Sequence, residues 1–473
     1  MMHRRDFLMS GLAAAAAPVV ARADIPAMSG VVASGTRPPL TQRRFTSAVV
    51  EGVIERTASA LKDKDLARLF ANCYPDTLDT TVELGEVDGK PDTFVITGDI
   101  QAMWLRDSSA QLSPYLPLTK TDPDLRRLFE GTIRRQVRCI LIDPYANAYM
   151  RDPLAHTDLS WSQTDQTVMK PGVAERKWEI DSLCYALRLS HAYWKTTGDL
   201  APFDDAWRQA MTTIVRTFRE QQRKDGPGPY RFNRTASEPT ETLAHGTGWP
   251  TRINGLIHSG FRPSDDACTY PYFIPGNAFA VVALRRLAAM ADAVGLEAAV
   301  KTDALALAAE VEAALKVHGH MPGGTMWAYE VDGFGNALFM DDANVPSLLS
   351  LPYLGFCTKT DPVYRRTRAA VLSGRNPYYY QGQILRGVGS PHSGLNTVWP
   401  ISLMMQALTS IDDAEIRLCL AELKTAAGPR GFMNESVGKD DAAIFTRSWF
   451  AWANSLFGEL ILTLLAERPH LLT

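Results

Sequence analysis

The chain has 473 residues, 46% of them hydrophobic and 21% charged, which suits a large soluble protein with a substantial core. Its formal net charge is -3, and it has no block of lysine and arginine able to track a phosphate backbone, so a nucleic-acid partner is excluded. The six cysteines (Cys73, Cys139, Cys184, Cys268, Cys357, Cys419) show no C-x-x-C spacing, which argues against a zinc site or a disulfide scaffold and for buried free thiols.

At the N-terminus, Arg4 and Arg5 precede Asp6-Phe7-Leu8, an alanine-rich apolar run over 11–20, and the small-x-small site Ala21-Arg22-Ala23. This pattern predicts a twin-arginine export signal over 1–23, although an ordinary Sec signal would use similar features. The apolar run is too short to span a bilayer, and no other stretch approaches about 18 uninterrupted apolar residues. The expectation is an exported, periplasmic protein without a membrane span, with a flexible mature N-terminus over 24–40 and a single catalytic domain over 41–473.

Helical spacing then recurs along the chain. Helices are expected near 43–61, 123–141, 201–222, 277–293, 297–316, 396–409 and 413–426, with shorter ones near 65, 105, 345 and 365. Ile180, Leu183, Cys184, Leu187 and His191 share one helical face, and Trp449, Trp452, Leu456, Leu460 and Leu464 share another. Both stripes read as core. β-Hairpins are expected over 82–97, turning at Asp88-Gly89, and over 326–338, turning at Asp332-Gly333. About a dozen helices with small β elements confined to connections predict an all-α fold in which paired helices close into a ring, an (α/α) barrel or toroid. A solenoid would need a fixed repeat, and none is found.

Six loops concentrate aromatic, charged and amide residues beyond what a connector needs: 98–107, 177–181, 258–266, 340–344, 390–396 and 432–436. In a helical ring such loops meet at one rim. A pyranose stacks its C–H faces on aromatic rings and needs paired donors and acceptors for its hydroxyls. The candidate sugar contacts are therefore Trp104, Arg106, Asp107, Trp178, Glu179, Arg262, Asp342, Asn344, His392 and Asn396. Cleaving a glycosidic bond further requires one carboxylic acid and a second carboxylate, for which Asp265 or Asp266 and Glu435 are the candidates. Each has a plainer structural explanation. Asp265 or Asp266 could serve a turn, Arg106-Asp107 could be an ion pair within a helix, and Asp341-Asp342 could cap the helix that follows. Glu435, between Asn434 and Ser436 after Gly431, fits neither a helix face nor a turn.

Four segments, TGDIQAMWLRDSSAQ (97–111), SGFRPSDDACTYPYFIPGN (259–277), MDDANVPSLLSLPYLG (340–355) and FMNESVGKDDAAIFTRSWFAWANSLFGELI (432–461), resemble glycoside hydrolase family 125. The resemblance runs from about 40 to 465. That family comprises metal-independent exo-α-1,6-mannosidases, inverting enzymes on an (α/α) barrel of six hairpins. The resemblance implies an acid at Asp265 or Asp266, a base at Glu435, and Arg106 and Asp107 on hydroxyls of the terminal mannose. It also implies no cofactor and no metal. The substrate would be a mannose-containing oligosaccharide, a fragment of N-glycan or mannan. The rival readings are a calcium-dependent α-mannosidase, an epimerase or lyase on a similar barrel, and a non-catalytic glycan-binding protein.

Overall fold

The structure is a computed structural model that describes residues 35–235 and 238–473. The leader expected at 1–23 and most of the 24–40 segment lie outside the described residues. In chain order the first seven helices are α1 (Ala48–Ala60), α2 (Lys64–Cys73), α3 (Asp76–Thr80), α4 (Leu105–Leu112), α5 (Pro123–Ile142), α6 (Ile180–Thr197) and α7 (Asp205–Gln221). They are followed by α8 (Ile274–Met290), α9 (Ala298–His318), α10 (Leu351–Leu354), α11 (Pro362–Val371), α12 (Pro400–Thr409), α13 (Asp413–Ala427) and α14 (Ala451–Glu467).

These helices form two concentric layers. The inner helices α4, α6, α8, α10, α12 and α14 each pack against the next, and α14 returns to α4, so the ring closes. The outer layer is α5, α7, α9, α11, α13 and the α1–α2 pair. The fold is the all-α barrel expected, with six inner helices. The difference between layers is written in residue type. In α9 the buried positions Val300, Ala304, Leu307, Ala308, Val311, Ala314 and Leu315 form one stripe, as suits a helix with one wet face. In α8 nearly every residue from Ile274 to Leu284 is buried, because neighbours surround it. One continuous hydrophobic core reaches from Phe45 to Leu472.

The two layers also start differently. Outer helices other than α9 begin at side-chain caps: Ser47, Asp63, Asp122, Asp204, Asp361 and Asp412 each accept a backbone N–H of their own first turn. Inner helices carry no such cap. Trp104, Phe273, Trp399 and Phe450 stand where a cap would, at the ends of short extended segments. The expected start near 43 moves to Ala48, because Ser47 caps the helix there. The expected start at 396 moves to Pro400, because Asn396 is left-handed and a strand follows it.

The strands are β1 (Val82–Val87), β2 (Lys90–Val95), β3 (Met103–Trp104), β4 (Ala148–Tyr149), β5 (Val173–Glu175), β6 (Tyr272–Phe273), β7 (Glu330–Val331), β8 (Ala337–Leu338), β9 (Tyr379–Gln381), β10 (Arg386–Val388), β11 (Thr397–Val398), β12 (Ser436–Gly438) and β13 (Phe445–Thr446). β1 and β2 form the expected hairpin, with Asp88 and Gly89 at positive φ in the turn. β7 and β8 form the second, where the Asp332 carboxylate accepts the N–H groups of Phe334 and Asn336. Three three-stranded sheets, β3-β4-β5, β6-β7-β8 and β11-β12-β13, were not foreseen. Each ties together the entries to two successive inner helices, and so holds the loops at the rim in register. The barrel is closed by chain segments far apart in sequence: Ala451 N–H donates to Thr97, and Asp99 N–H to Trp449. All six cysteines are free; Cys357 is half-buried and the other five are buried. Among the described residues no helix is long and apolar enough to cross a membrane.

Candidate active site

At the N-terminal end of the inner ring lies a cavity of about 530 Å³, within the roughly 300–1,000 Å³ of small-ligand pockets. All six connections into inner helices reach its wall. They contribute Trp104, Arg106 and Asp107 at α4, Glu175 and Lys177 before α6, Asp265 before α8, Asn344 before α10, His392 and Trp399 before α12, and Glu435, Arg447 and Trp452 around the start of α14. Loops separated along the chain thus converge as the ring topology requires. The wall alternates aromatic and hydrogen-bonding groups, which suits a polyol with apolar faces.

Asp265 sits in a tight turn in which Asp265 N–H donates to the Arg262 carbonyl and Arg262 N–H to that of Asp266. Its φ of 69° is a left-handed conformation that aspartate tolerates better than most residues. Asn147 Nδ2 lies 3.0 Å from Asp265 Oδ1, and Lys177 Nζ donates to the Asp265 carbonyl at 2.8 Å. Burial opposes ionisation of this carboxyl, but the Lys177 and Arg106 cations overcome it and hold the group below the usual carboxylate range. Asp266 points elsewhere. It is 2% exposed, off the cavity wall, with Oδ1 at 3.2 Å from His392 Nδ1. The His392 ring opens onto the cavity. Burial alone would lower its pKa, but the bond to Asp266 and the charges of Asp266, Asp265 and Glu435 raise it to about 9. His392 is therefore a cation at neutral pH, in the field of all three candidate catalytic carboxyls.

Glu435 immediately precedes β12. Its N–H donates to the Arg447 carbonyl, extending the β12–β13 ladder by one pair, so the hairpin brings Glu435 and Arg447 side by side. Thr446 Oγ1 donates to Glu435 Oε2 at 2.9 Å and Arg447 Nη1 to Oε1 at 3.4 Å. Arg447 in turn donates to Asp99 and Thr97 and lies over the Phe450 ring. Across the floor, Arg106 Nη1 bonds Glu179 at 2.7 Å and Asp181 at 3.0 Å. Burial pushes the neighbouring Asp107 up to about 6, against the pull of Arg106 and Arg447.

Of the candidates, Trp104, Arg106, Asp107, Asp265, Asn344, His392 and Glu435 share the cavity. Six do not reach it, Asp266 already described among them. Trp178 is core: it packs edge-on against Tyr145, and its Nε1 donates to the His258 carbonyl. Arg262 is buried against Glu330, and Asp342 accepts from Asn344 and Ser390 behind the wall. Glu179 lies under the floor, on Arg106. Asn396 sits in an exposed left-handed turn whose carbonyl accepts from Lys439 N–H. Other residues were missed. The extended chain from β5 alternates sides, so Glu175 and Lys177 face the cavity while Arg176 turns to Asp143 and Trp178 to the core. A period-two reading would have selected Lys177 over Trp178. Trp452, read as core, lines the cavity as well as packing on Phe450 and Tyr185.

The family model described as metal-independent α-mannosidase (GH125) matches residues 63–462. The chain is 47% identical over 455 residues to the meiotically up-regulated gene 157 protein of Schizosaccharomyces pombe, covering 92% of this chain and 89% of that protein. It also matches the solved structure of a Streptococcus pneumoniae protein of a family of metal-independent α-mannosidases, in a non-productive complex with α-1,6-mannobiose. That match has 42% identity and a TM-score of 0.85, covering 90% of this chain and all of the other. A cavity of carboxyls and aromatics at the mouth of a closed helical ring, and sequence likeness along nearly the whole of that ring, together make this chain a member of glycoside hydrolase family 125, the metal-independent α-mannosidases.

Proposed function

We propose that this protein is an exported, exo-acting α-mannosidase that removes terminal α-1,6-linked mannose with inversion, using Asp265 as general acid and Glu435 as general base. The observation that carries this reading is that Asp265 and Glu435, brought in by different loops, open onto one cavity together with Arg106, Asp107 and the wall's indoles. Bound α-1,6-mannobiose in the pneumococcal relative supports the linkage.

The terminal mannose stacks on the indoles of the wall, with Arg106, Asp107 and Asn344 on its hydroxyls. Asp265 passes its proton to the glycosidic oxygen as that bond lengthens. Glu435 takes a proton from a water attacking the opposite face of the anomeric carbon. Inversion by this route needs a carboxyl separation of about 6.5–9.5 Å, enough for one water. Asp265 rather than Asp266 is the acid because Asp266 is off the wall and bound to His392.

Incubation with α-1,2-, α-1,3- and α-1,6-mannobiose, followed by proton NMR of the first anomer released, tests activity, linkage and stereochemistry together. Initial β-mannose from the α-1,6 isomer alone is expected; initial α-mannose would require a retaining route. Activity should survive exhaustive chelation, which a calcium-dependent mannosidase would not. Export is tested by replacing Arg4 and Arg5 with lysine, which should block secretion through a twin-arginine route and leave a Sec route intact.

A further inference from the structure

We infer that Glu179 is the proton partner of Asp265: the two carboxyls hold one proton between them, and that proton is the one delivered to the glycosidic oxygen. The inference rests on Asp265 being the acid. It begins from a shortage of donors. The single Asn147 Nδ2, with two hydrogens, faces three carboxyl oxygens, the buried Glu175 Oε2 at 3.0 Å and Glu179 Oε1 at 3.3 Å and the partly buried Asp265 Oδ1 at 3.0 Å. Arg106 is likewise within 4 Å of four carboxyls, those of Asp107, Glu179, Asp181 and Asp265. Lys177 adds one more cation, but its bond goes to the Asp265 carbonyl and its nearest carboxylate, Glu241, is 3.6 Å away. Arg234 is occupied by Asp165, Glu175 and Glu241. His392 acts on Asp265 through its charge but is bonded to Asp266. Neighbouring buried carboxylates cannot all ionise, so a proton is retained.

Glu179 and Asp265 are the pair placed to share it. The same two donors hold both: Asn147 Nδ2 stands 3.3 Å from Glu179 Oε1 and 3.0 Å from Asp265 Oδ1, and Arg106 lies 2.7 Å from Glu179 Oε2 and 3.9 Å from Asp265 Oδ1. Burial pushes Glu179 well above the usual carboxylate range while the nearby cations depress Asp265, so in the free enzyme the proton rests on Glu179. Glu179 is also equipped to lose it. Its Oε2 accepts from Arg106 at 2.7 Å and from Ser182 Oγ at 2.9 Å. When sugar excludes water from the cavity, the proton moves to Asp265, the Asp265 O–H donates to the leaving oxygen, and that oxygen keeps the electron pair of the broken bond. Glu435 holds the proton of the attacking water, and exchange with solvent restores both groups. Glu179 acts through Asp265 and is a positioning residue.

The test compares Glu179→Gln with Asp265→Asn on α-1,6-mannobiose, whose leaving group needs protonation, and on 2,4-dinitrophenyl α-mannoside, whose leaving group does not. Both variants should lose about 100-fold or more in kcat on mannobiose and about tenfold or less on the activated substrate. In Glu179→Gln the alkaline limb of the pH profile of kcat on mannobiose should also fall by about one unit or more, because Asp265 is left alone beside two cations. Ser182→Ala keeps both carboxyls but removes a donor to the Glu179 anion, and should move that limb upward. This second variant decides the matter if Glu179→Gln does not fold. An unmoved alkaline limb in both variants overturns the pairing. If Asp265→Asn itself loses equally on both substrates, Asp265 is not the acid, and the underlying reading fails instead.

Discussion

Arg447 places Nη1 3.4 Å from Glu435 Oε1 and bonds Asp99 through its remaining nitrogens, so the side chain that steadies the proposed base is fastened to a segment 348 residues earlier. Glu435→Gln should largely preserve this arrangement, because the amide oxygen can accept from Arg447 while the amide NH2 donates to the Thr446 hydroxyl. A kcat reduced by about 10²–10⁴ with an unchanged melting temperature is expected, since only the proton-accepting function is removed. Loss of folding in place of turnover would assign Glu435 a structural role.

His392 is charged at neutral pH because, against its burial, the bond to Asp266 and the charges of Asp266, Asp265 and Glu435 raise it to about 9. Asp266→Asn removes that bond and one of those charges, so the imidazole should give up its proton about one unit or more lower than in the wild type. The measurement is the chemical shift of the His392 ring protons against pH; an unmoved midpoint would show that Asp266 does not hold the charge in place.

Asp76 anchors the start of α3 to Asn454 of α14 at 3.0 Å, and burial with help from Asp79 raises it from the ordinary 3.8 to about 7. Between those two values the folded chain binds more protons here than the unfolded chain does. Its contribution to stability is therefore full below about pH 4, falls as pH climbs through the window, and is flat above about 7. Asp76→Asn has no such titration. The stability difference, variant minus wild type, should rise between pH 5 and 7.5, measured by urea unfolding; a constant difference would refute the raised value.

Gly98 has φ of 121°, and a Cβ there would stand 2.3 Å from the Trp449 carbonyl oxygen, at the seam where the ring closes. Neither partner is a flexible side-chain end. Gly98→Ala should destabilise the fold by about 2 kcal/mol or more. It should also raise KM, because Thr97, Ile100 and Phe450 line the cavity on either side of that seam. Denaturant titration and steady-state kinetics on the same preparation check both.

The outer layer of the barrel was legible because a helix with one wet face writes its stripe at a fixed period, and because Asp122 and Asp412 announce where α5 and α13 begin. Among the inner helices, α6 and α14 showed a stripe but α8 gave a weaker signal. Buried all round, α8 has no polar face to contrast with its apolar one, and its expected limits were displaced by three residues. The rim sheets of two or three residues per strand are shorter than any alternation that could mark them. For the cavity, richness in polar residues located the loops but not which side chains turn inward. Trp178 and Arg262 stand among cavity residues in sequence and face the core, because adjacent residues of extended chain point opposite ways. Trp452 shows the converse: a helical stripe can be core along most of its length and wall at its first turn.

The seam between Thr97 and Ala451 has a further implication for how the molecule comes into being. A ribosome releases Glu435, Arg447 and the last inner helix after every other part of the cavity wall has been made. A chain halted before that point has an open arc in place of a ring, with its early loops exposed and no partner for Asp99. The hollow therefore exists only once the segments carrying Thr97 and Ala451 meet.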